Sequence, residues 1–262
     1  MRADAIEVEE SRLAGLEDLS EYRWFKERHR VFPAVFENRD HKRIIDLSAG
    51  VGCAAVRVRD QYNPDIICND ITPTCLKLLR RSGLNTVSFS LDDPETPFPF
   101  PDGAFDCAIS LVTIEHLTHV EHFVKETSRI LEPGGYFYIS APNYAAPEYA
   151  LKLLVTGRSF HDPLGPVEDA YEFWGHIRYF TYKTLRDYVG AFDFTLEASY
   201  IAKPGGSSRY RALYERSKVV ALGYRYLMTA RHNLLPARWA SEPILCFRKG
   251  GPDGRAARKV VL

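Results

Sequence analysis

The stretch "DLSAGVG", from Asp46 to Gly52, decides the fold because it joins a short apolar run to a helix-like segment. Gly50 and Gly52 alternate across this turn, and Ala55 follows them in the pattern G-x-G-x-x-A. Such a turn lets the backbone approach a nucleotide closely, and it also fits a dinucleotide site. Ser48 stands where loops of this kind often carry a first glycine, so the sequence leaves open whether the serine impairs the site.

From the apolar run before this turn onward, runs of strand length alternate with helical segments. The predicted strands are "RIIDL", "DIICND", "TVSFSL", "FDCAISL", "GYFYISAP", "FTLEASYIA" and "PILCFRKG", and the predicted helices include "CAAVRVRDQY", "TPTCLKLLRRSG", "VEHFVKETSRIL" and "TYKTLRDYVGAF". This alternation predicts an α/β fold with a mostly parallel sheet and helices on both faces. Ligand-binding loops in such a sheet gather at the carboxyl ends of the strands.

The regular alternation divides the chain into segments. Residues 1–40 are predicted to form an N-terminal helical segment, because apolar and aromatic residues recur there at helical spacing. The main domain is predicted over 41–249. Two stretches break its alternation, about 143–178 and 203–240, and both are predicted to be insertions that form a cap. Residues 250–262 are predicted to be a flexible tail.

Composition excludes several classes of protein. The 34 basic residues equal the 34 acidic residues, which argues against a dedicated nucleic-acid binder. The five cysteines are odd in number and contain no CxxC pair, as expected for reduced thiols of a cytosolic protein. The chain opens without the apolar core of a signal peptide, and no run approaches the roughly 18 apolar residues of a membrane span. A cytoplasmic location is therefore predicted.

Acidic residues follow three successive predicted strands. Asp46 would repel a pyrophosphate, but it can face a ligand that carries an ammonium or sulfonium charge. Asp70 ends the second strand, where a carboxylate can accept hydrogen bonds from ribose hydroxyls. Asp92 and Asp93 follow the third strand, where an acid can accept a proton from the exocyclic amine of adenine. Each acid alone could simply cap a helix, but three at successive strand ends favour a nucleoside ligand.

The motifs "IIDLSAGVG", "ICNDIT", "PFPFPDGAFDCAISLVTIEHL" and "ETSRILEPGGYFYISAPN" resemble, in order and spacing, those of class I S-adenosylmethionine-dependent methyltransferases. The resemblance covers about 43–143 and implies a Rossmann-like, seven-stranded sheet with a reversed final hairpin. It also implies S-adenosyl-L-methionine as the cofactor. The implied cofactor-binding residues are Asp46, Ser48, Ala49, Gly50 and Gly52 at the methionine end, Asp70 and Ile71 at the ribose, Asp92 or Asp93 at the adenine, and Leu111 beside the methionine.

Ser48 departs from the family pattern, in which glycine is usual at this position. Glycine there permits a positive φ and close approach of a ligand. Serine keeps the small size and adds a hydroxyl that could bind the methionine carboxylate, so we expect the site to function.

Methyl transfer to a hydroxyl requires aligned reactants and a group that removes a proton. The candidate catalytic residues are Glu115 and His116, just after the fourth strand, and His176, which returns from the cap. His116 is the leading candidate, because imidazole titrates near neutrality. Alternatively, the "EH" pair only packs the loop and His176 is a structural residue of the lid. His161 and Asp162 in "SFHDP" are weaker candidates. No metal site is predicted, because two adjacent residues are weak evidence for one.

The acceptor is predicted to be a small molecule or glycan rather than a nucleic acid. Nucleic-acid amino methyltransferases usually carry an Asx-Pro-Pro-aromatic motif after the fourth strand, where this chain reads "SLVTIEH". The segments "YRWFKERHRVF" and "GHIRYFTYKTLRDYVGAF" resemble those of methyltransferases from polysaccharide and lipid-sugar pathways. That resemblance implies O-methylation of a saccharide, a glycolipid precursor or a natural-product hydroxyl.

Other interpretations stay open. The acceptor could be quinone-like or a lipid, or the chain could be a non-catalytic partner subunit that binds the cofactor. A nicotinamide oxidoreductase is disfavoured by Asp46. The basic segment 209–238 interleaves arginines with tyrosines and leucines, which is typical either of contact with anionic lipid or phosphorylated substrate or of a solvated helical face.

Overall fold

The computed structural model describes residues 3–158, 161, 173, 175–203, 208–251 and 257–262. Its strands are β1 (Ile44–Asp46), β2 (Ile67–Asn69), β3 (Asn85–Val87), β4 (Phe105–Leu111), β5 (Leu131–Ser140), β6 (Phe194–Ile201), β7 (Ile244–Lys249) and β8 (Arg258–Val261). Its α-helices are α1 (Ala3–Arg12), α2 (Cys53–Gln61), α3 (Pro73–Arg81), α4 (Val120–Ile130), α5 (Pro147–Thr156), α6 (Tyr182–Gly190), α7 (Ser208–Arg216) and α8 (Lys218–Leu234).

The strands form one mixed sheet in the order β3-β2-β1-β4-β5-β7-β6-β8. Strand β7 runs antiparallel to both of its neighbours, and the other pairings are parallel. The predicted α/β fold with a reversed hairpin is therefore confirmed. Because β1, β2, β4, β5 and β6 point the same way, their carboxyl ends share one edge of the sheet.

The sheet has eight strands rather than the seven implied by the resemblance. The prediction of a flexible tail over 250–262 is wrong for Arg258–Val261, which pair with β6. The open edge of β6 offers unpaired backbone groups that a further strand can satisfy. Val260 and Leu262 also pack against the core, so the strand contributes apolar contacts.

The predicted helical segment over 1–40 is only partly helical. Helix α1 ends at Arg12, and the chain then continues mainly through turns and two short 3₁₀ helices, Leu19–Glu21 and Ala34–Phe36. His29 adopts a positive φ of 53°, which a continuous helix does not allow, and Pro33 lacks a backbone donor. Four of the apolar residues that suggested a helix, Val31, Phe32, Val35 and Phe36, are nevertheless buried in the core.

Apolar residues cover both faces of the sheet. One cluster includes Phe36, Ile44 and Tyr138, and the other includes Phe123 and Phe137. All five cysteines are buried and none forms a disulfide. Among the described residues, no helix is both long enough and apolar enough to cross a bilayer.

Candidate active site

Asp46 lies at the carboxyl end of β1, only 3% exposed, where it accepts a hydrogen bond from the Ser48 amide at 3.3 Å. Burial, with a smaller contribution from the charge of nearby Asp70, raises the pKa of Asp46 to about 7, although the hydrogen bond from the Ser48 amide opposes the shift. An ionised carboxylate in this position is costly unless a cation balances it. The site therefore suits a ligand that brings a positive charge to Asp46.

The two glycines of the turn are required for different reasons. Gly50 and Gly52 have φ values of 55° and 98°, which side-chain-bearing residues rarely adopt. A Cβ atom at Gly52 would also lie 2.9 Å from Leu79 Cδ2, so packing excludes a larger residue there. A Cβ atom at Gly50 would meet nothing within 4 Å, so space lies open beside the backbone at that position.

Ser48 adopts an ordinary negative φ, so a side chain at this position carries no backbone strain. Its hydroxyl accepts a hydrogen bond from Thr113 Oγ1 at 2.6 Å and lies 3.4 Å from Ser110 Oγ. The serine thus links the turn after β1 to the end of β4 and the loop that follows it. Its predicted contact with the methionine carboxylate stays a prediction.

Asp70 connects the turn to the start of α3. Its two carboxylate oxygens accept the backbone N–H groups of Gly50 at 2.9 Å and Thr72 at 2.8 Å. Burial raises the pKa of Asp70, although these hydrogen bonds oppose the shift. The next side chain, Ile71, is 46% exposed, which leaves an apolar surface beside the carboxylate.

Asn69 is a site residue that sequence reasoning missed. Its buried amide donates to the Leu47 carbonyl at 2.9 Å and accepts from the Phe89 amide at 2.9 Å, so it fastens three adjacent strand ends together. Ala49 contributes through its backbone, since its amide donates to the Asn69 carbonyl at 2.9 Å. The sequence signal for Asn69 was its position in "ICND", directly before the candidate acid Asp70.

Asp92 and Asp93 have different surroundings. Asp92 Oδ1 accepts from the His119 amide at 2.6 Å, so this carboxylate joins the loop after β3 to the loop after β4. Asp93 instead accepts from the Glu95 amide at 3.1 Å and the Thr96 hydroxyl at 2.8 Å within its own turn. The bond from Thr96 lowers the pKa of Asp93. A capping role therefore describes Asp93, and Asp92 is the better candidate for the adenine.

The loop after β4 begins with a strained residue. Val112 has a φ of 56°, an outlier for a β-branched side chain. Its amide donates to the Ser140 carbonyl at 3.0 Å, which holds the reversal in place. Leu111 before it is buried in the core, and its carbonyl oxygen lies 3.2 Å from Thr113 Oγ1. The reversal leads directly into the 3₁₀ turn Ile114–His116.

The segment that returns from the cap is clamped onto this turn. The backbone amides of Ile177 and Arg178 both donate to the Glu115 carbonyl at 3.0 Å, and Arg178 Nη2 donates to the Thr118 carbonyl at 2.8 Å. As a result, the His116 and His176 rings meet edge to face with centroids 4.7 Å apart. The three predicted catalytic residues therefore lie together.

The surroundings of His116 fix its tautomer. Nδ1 lies 3.0 Å from the Gly175 carbonyl, which can only accept, so Nδ1 carries the hydrogen. In the neutral ring the lone pair is then on Nε2, which lies 4.0 Å from Oε1 of the fully buried Glu115. Burial lowers the pKa of His116. The lowered pKa favours the neutral ring, and an ionised Glu115 would stabilise the imidazolium.

Tyr144 extends the cluster beyond the predicted residues. Its hydroxyl lies 2.7 Å from His176 Nδ1 and 3.0 Å from His161 Nε2. A hydroxyl with one proton can donate to one ring and accept from the other. Sequence reasoning missed Tyr144, although its place just after the fifth strand was a usable signal. Asp162 lies outside the described residues.

Glu115, His116 and His176 could also hold a metal ion. One potential ligand atom from each residue lies within 4.8 Å of the others, and buried histidine and carboxylate groups suit a divalent transition metal. The same atoms can thus accept a proton or bind a cation. The expectation that the chain has no metal site stays untested.

A cavity of about 1140 Å³ lies at the same edge of the sheet. The N-terminal segment forms one wall, and the carboxyl end of β6 and the start of β7 form another. Its lining includes Arg12, Trp24, Arg28, His29, Tyr200 and His232. Burial lowers the pKa of His116, the hydrogen bond to the Gly175 carbonyl and the charge of Glu9 oppose the shift, and the charges of Arg12 and Arg28, which line this cavity, add to it.

Known proteins match this arrangement. A family model described as "Methyltransferase domain" matches residues 16–199. Ajmaline N-methyltransferase from Rauvolfia serpentina is 34% identical over 100 residues, which are 36% of this chain and 33% of that protein. The ubiquinone/menaquinone biosynthesis C-methyltransferase UbiE from Pseudomonas putida is 30% identical over 104 residues, 37% of this chain and 40% of that protein. The chain thus spans about a third to two fifths of the length of these curated relatives.

Solved structures show the same fold. A Thermotoga maritima protein described as a SAM-dependent methyltransferase and possible histamine N-methyltransferase aligns with a TM-score of 0.60 at 16% identity, over 92% of this chain and 98% of that one. A complex of the Haloferax volcanii Trm112 activator with a methyltransferase aligns with a TM-score of 0.59 at 16% identity, over 94% of this chain and 97% of the matched chain.

The turn fits the cofactor of such enzymes. Asp46 is a buried carboxylate with a raised pKa, suited to a cationic ligand, and the open backbone at Gly50 leaves room for one. The family model covers most of the chain, and the fold and the turn agree with it. The chain therefore belongs to the S-adenosylmethionine-dependent methyltransferases of the class I fold.

Proposed function

We propose that this methyltransferase O-methylates a hydroxyl of a saccharide, a glycolipid precursor or another natural product. The observation that carries the proposal is His116, a neutral imidazole whose Nε2 lies beside the buried Glu115 carboxylate. The hydrogen bond from Thr113 to Ser48 ties the loop of His116 to the cofactor turn. A proton acceptor therefore lies next to the methionine end of the cofactor site.

The residues of the turn would hold the cofactor. Asp46 faces its cationic methionine end, and Gly50 allows close approach of its backbone. Asp70 presents a carboxylate for the ribose hydroxyls, and Asp92 lies where the adenine amine is expected. When bound, S-adenosylmethionine supplies a methyl group on a positively charged sulfur.

The cluster after β4 would handle the acceptor's proton. With the methyl donor bound, His116 Nε2 would take the hydroxyl proton of the acceptor as the acceptor oxygen is methylated. Glu115 stabilises the resulting imidazolium at 4.0 Å. His176, held by Tyr144, lines the acceptor's side of the cluster.

The need for a base favours a hydroxyl over an amine. A neutral amine already presents a lone pair, whereas an alcohol or phenol is a poor nucleophile until it loses a proton. A second candidate is C-methylation of a hydroxylated, quinone-like ring, which the similarity to UbiE favours. The same base would ionise the ring hydroxyl. A non-catalytic subunit would not require this arrangement.

An acceptor screen tests the proposal. The protein is incubated with S-adenosylmethionine and separate pools of saccharides, phenols with quinols, and amines, and products are detected as a mass increase of one methyl group. We expect products from a hydroxyl-bearing pool and a marked loss of product with His116→Ala. Methylation confined to amines would contradict the proposal. Calorimetry with S-adenosylhomocysteine serves as the control that each protein still binds the cofactor product.

A further inference from the structure

Helix α8 turns its apolar side chains toward solvent. The exposed apolar residues of α8 are Val219, Val220, Leu222, Tyr226, Leu227 and Leu234. They recur at helical spacing and share one side of the helix, whereas Ala221 faces the protein and is fully buried. A surface helix normally points its apolar stripe at the core. In α8 the apolar side faces solvent instead, which indicates a surface that binds a membrane or another protein.

Helix α5 adds to this surface. Leu151, Leu154 and Val155 of α5 are exposed as well. Arg231 of α8 donates to Glu148 of α5 at 2.8 Å, which ties the two helices together. We call the exposed apolar residues of α5 and α8 the cap face.

Basic side chains accompany the cap face. Lys218 and Arg225 lie exposed on α8, and just before it the exposed Glu215 and Arg216 carry opposite charges. The sequence from Lys218 to Leu234 contains no aspartate or glutamate. An apolar helical face bordered by Lys and Arg, without acids, is the pattern of helices that lie in the interface of an anionic membrane.

We propose that the cap face docks the enzyme on an anionic lipid surface. Charge favours lipid over a second copy of the chain, because α8 carries cations and no acid, so the α8 helices of two copies would bring basic residues against basic residues. Anionic headgroups would instead balance Lys218 and Arg225 while the apolar side chains enter the acyl boundary.

Docking would place the cavity near the membrane. His232 on α8 lines the cavity of about 1140 Å³, while the apolar residues of the same helix face outward. On the proposed function, the acceptor would then be an amphiphile, such as a lipid-linked saccharide, whose headgroup reaches the cavity from the lipid surface. The docking step itself does not depend on the acceptor's identity.

Vesicle sedimentation tests the docking surface. Wild-type protein is mixed with phosphatidylcholine vesicles prepared with or without phosphatidylglycerol, at low and high salt. We expect binding to the anionic vesicles that weakens with salt. Arg225→Glu should lower the partition coefficient about fivefold or more, and the double variant Leu222→Ser/Leu227→Ser should lower it at least as much. Lys183→Glu on α6, which reverses an exposed charge elsewhere, should leave binding unchanged.

Several outcomes would overturn the proposal. Failure of the wild-type protein to bind anionic vesicles would overturn it. Wild-type levels of binding in both α8 variants would also overturn it. A dimer in light scattering that the leucine variant dissociates would assign the cap face to a second copy instead. Circular dichroism and affinity for S-adenosylhomocysteine should match wild type in each variant. Methyl transfer to a water-soluble acceptor is also measured in each variant. If this activity is retained while vesicle binding is lost, the loss belongs to docking and not to the proposed function.

Discussion

Replacing Asp46 with asparagine should stabilise the folded protein and weaken its cofactor binding. The buried carboxylate is costly to ionise without a bound cation, and burial raises its pKa from 3.8 to about 7. Asparagine has nearly the same shape, keeps an oxygen for the Ser48 amide and never ionises. The same change removes the negative charge that, on the proposed function, faces the cationic end of the cofactor.

The pH dependence of this effect follows from the direction of the pKa shift. Because folding raises the pKa, the Asp46 carboxyl contributes stability that is fully present below pH 3.8 and is lost as the pH rises to about 7. Between pH 5 and pH 7, at about 1.36 kcal/mol per pH unit, wild type loses about 2.7 kcal/mol that Asp46→Asn retains. For a domain of this size, that difference corresponds to a relative shift in Tm of roughly 5–10 °C.

Urea and thermal unfolding of wild type and Asp46→Asn, without cofactor, at pH 5 and pH 8 measure the effect. An advantage of the variant that is the same at both pH values would refute the argument. Asp93→Asn is the matched control, because the pKa of Asp93 is lowered by its bond from Thr96 and its carboxylate is ionised in both states over this range. Cofactor affinity of Asp46→Asn should fall at least about tenfold, or 1.4 kcal/mol.

Three further substitutions test the cofactor turn and the base. Asp70→Ala should weaken S-adenosylhomocysteine binding by about 2–4 kcal/mol in calorimetry, because ribose loses a charged acceptor; unchanged affinity in a folded variant would remove Asp70 from the site. Ser48→Gly should keep cofactor affinity within about tenfold of wild type, since Ser48 carries no positive φ, and a large gain would show that the native turn is impaired. His116→Ala should lower turnover by about a hundredfold or more with cofactor affinity retained, whereas His176→Ala should mainly raise the acceptor's KM; the reverse pattern in steady-state kinetics would move the base to His176. The wild-type rate should fall as the pH drops through the pKa of His116, with a midpoint below 6.5 because burial lowers that pKa.

The cofactor half of the molecule was predictable because its signals are local. Strands β1, β2 and β4 coincide closely with apolar runs in the sequence, and each run ends at the acid or turn that the fold uses. Gly50 and Gly52 indicated positive φ values in the turn, and both residues have them in the structure. The eighth strand was missed because "RKVV" follows the glycine- and proline-containing stretch "GGPDGRAA" and forms a strand only by pairing with the free edge of β6.

The acceptor half was less predictable because its contacts cross long stretches of chain. Nothing local in "APNY" shows that Tyr144 bridges His161 and His176. His116 contacts His176 because the backbone amides of Ile177 and Arg178 both donate to the Glu115 carbonyl. The chemistry of imidazole made His116 and His176 candidates in the sequence, but only the folded backbone shows that they lie together.

The hydrogen-bond pattern distinguishes His116 from the other two histidines as a base. The Gly175 carbonyl can only accept, so the Nδ1 hydrogen of His116 has one possible location and the lone pair of the neutral ring has the other. The Tyr144 hydroxyl can donate to one of the His161 and His176 rings and accept from the other, so these two contacts do not by themselves fix either tautomer. A base that must present the same nitrogen in every turnover is better served by a fixed tautomer. Its position after β4 made His116 a candidate base in the sequence. The hydrogen bond to the Gly175 carbonyl, which fixes the tautomer, is the physical reason to prefer it.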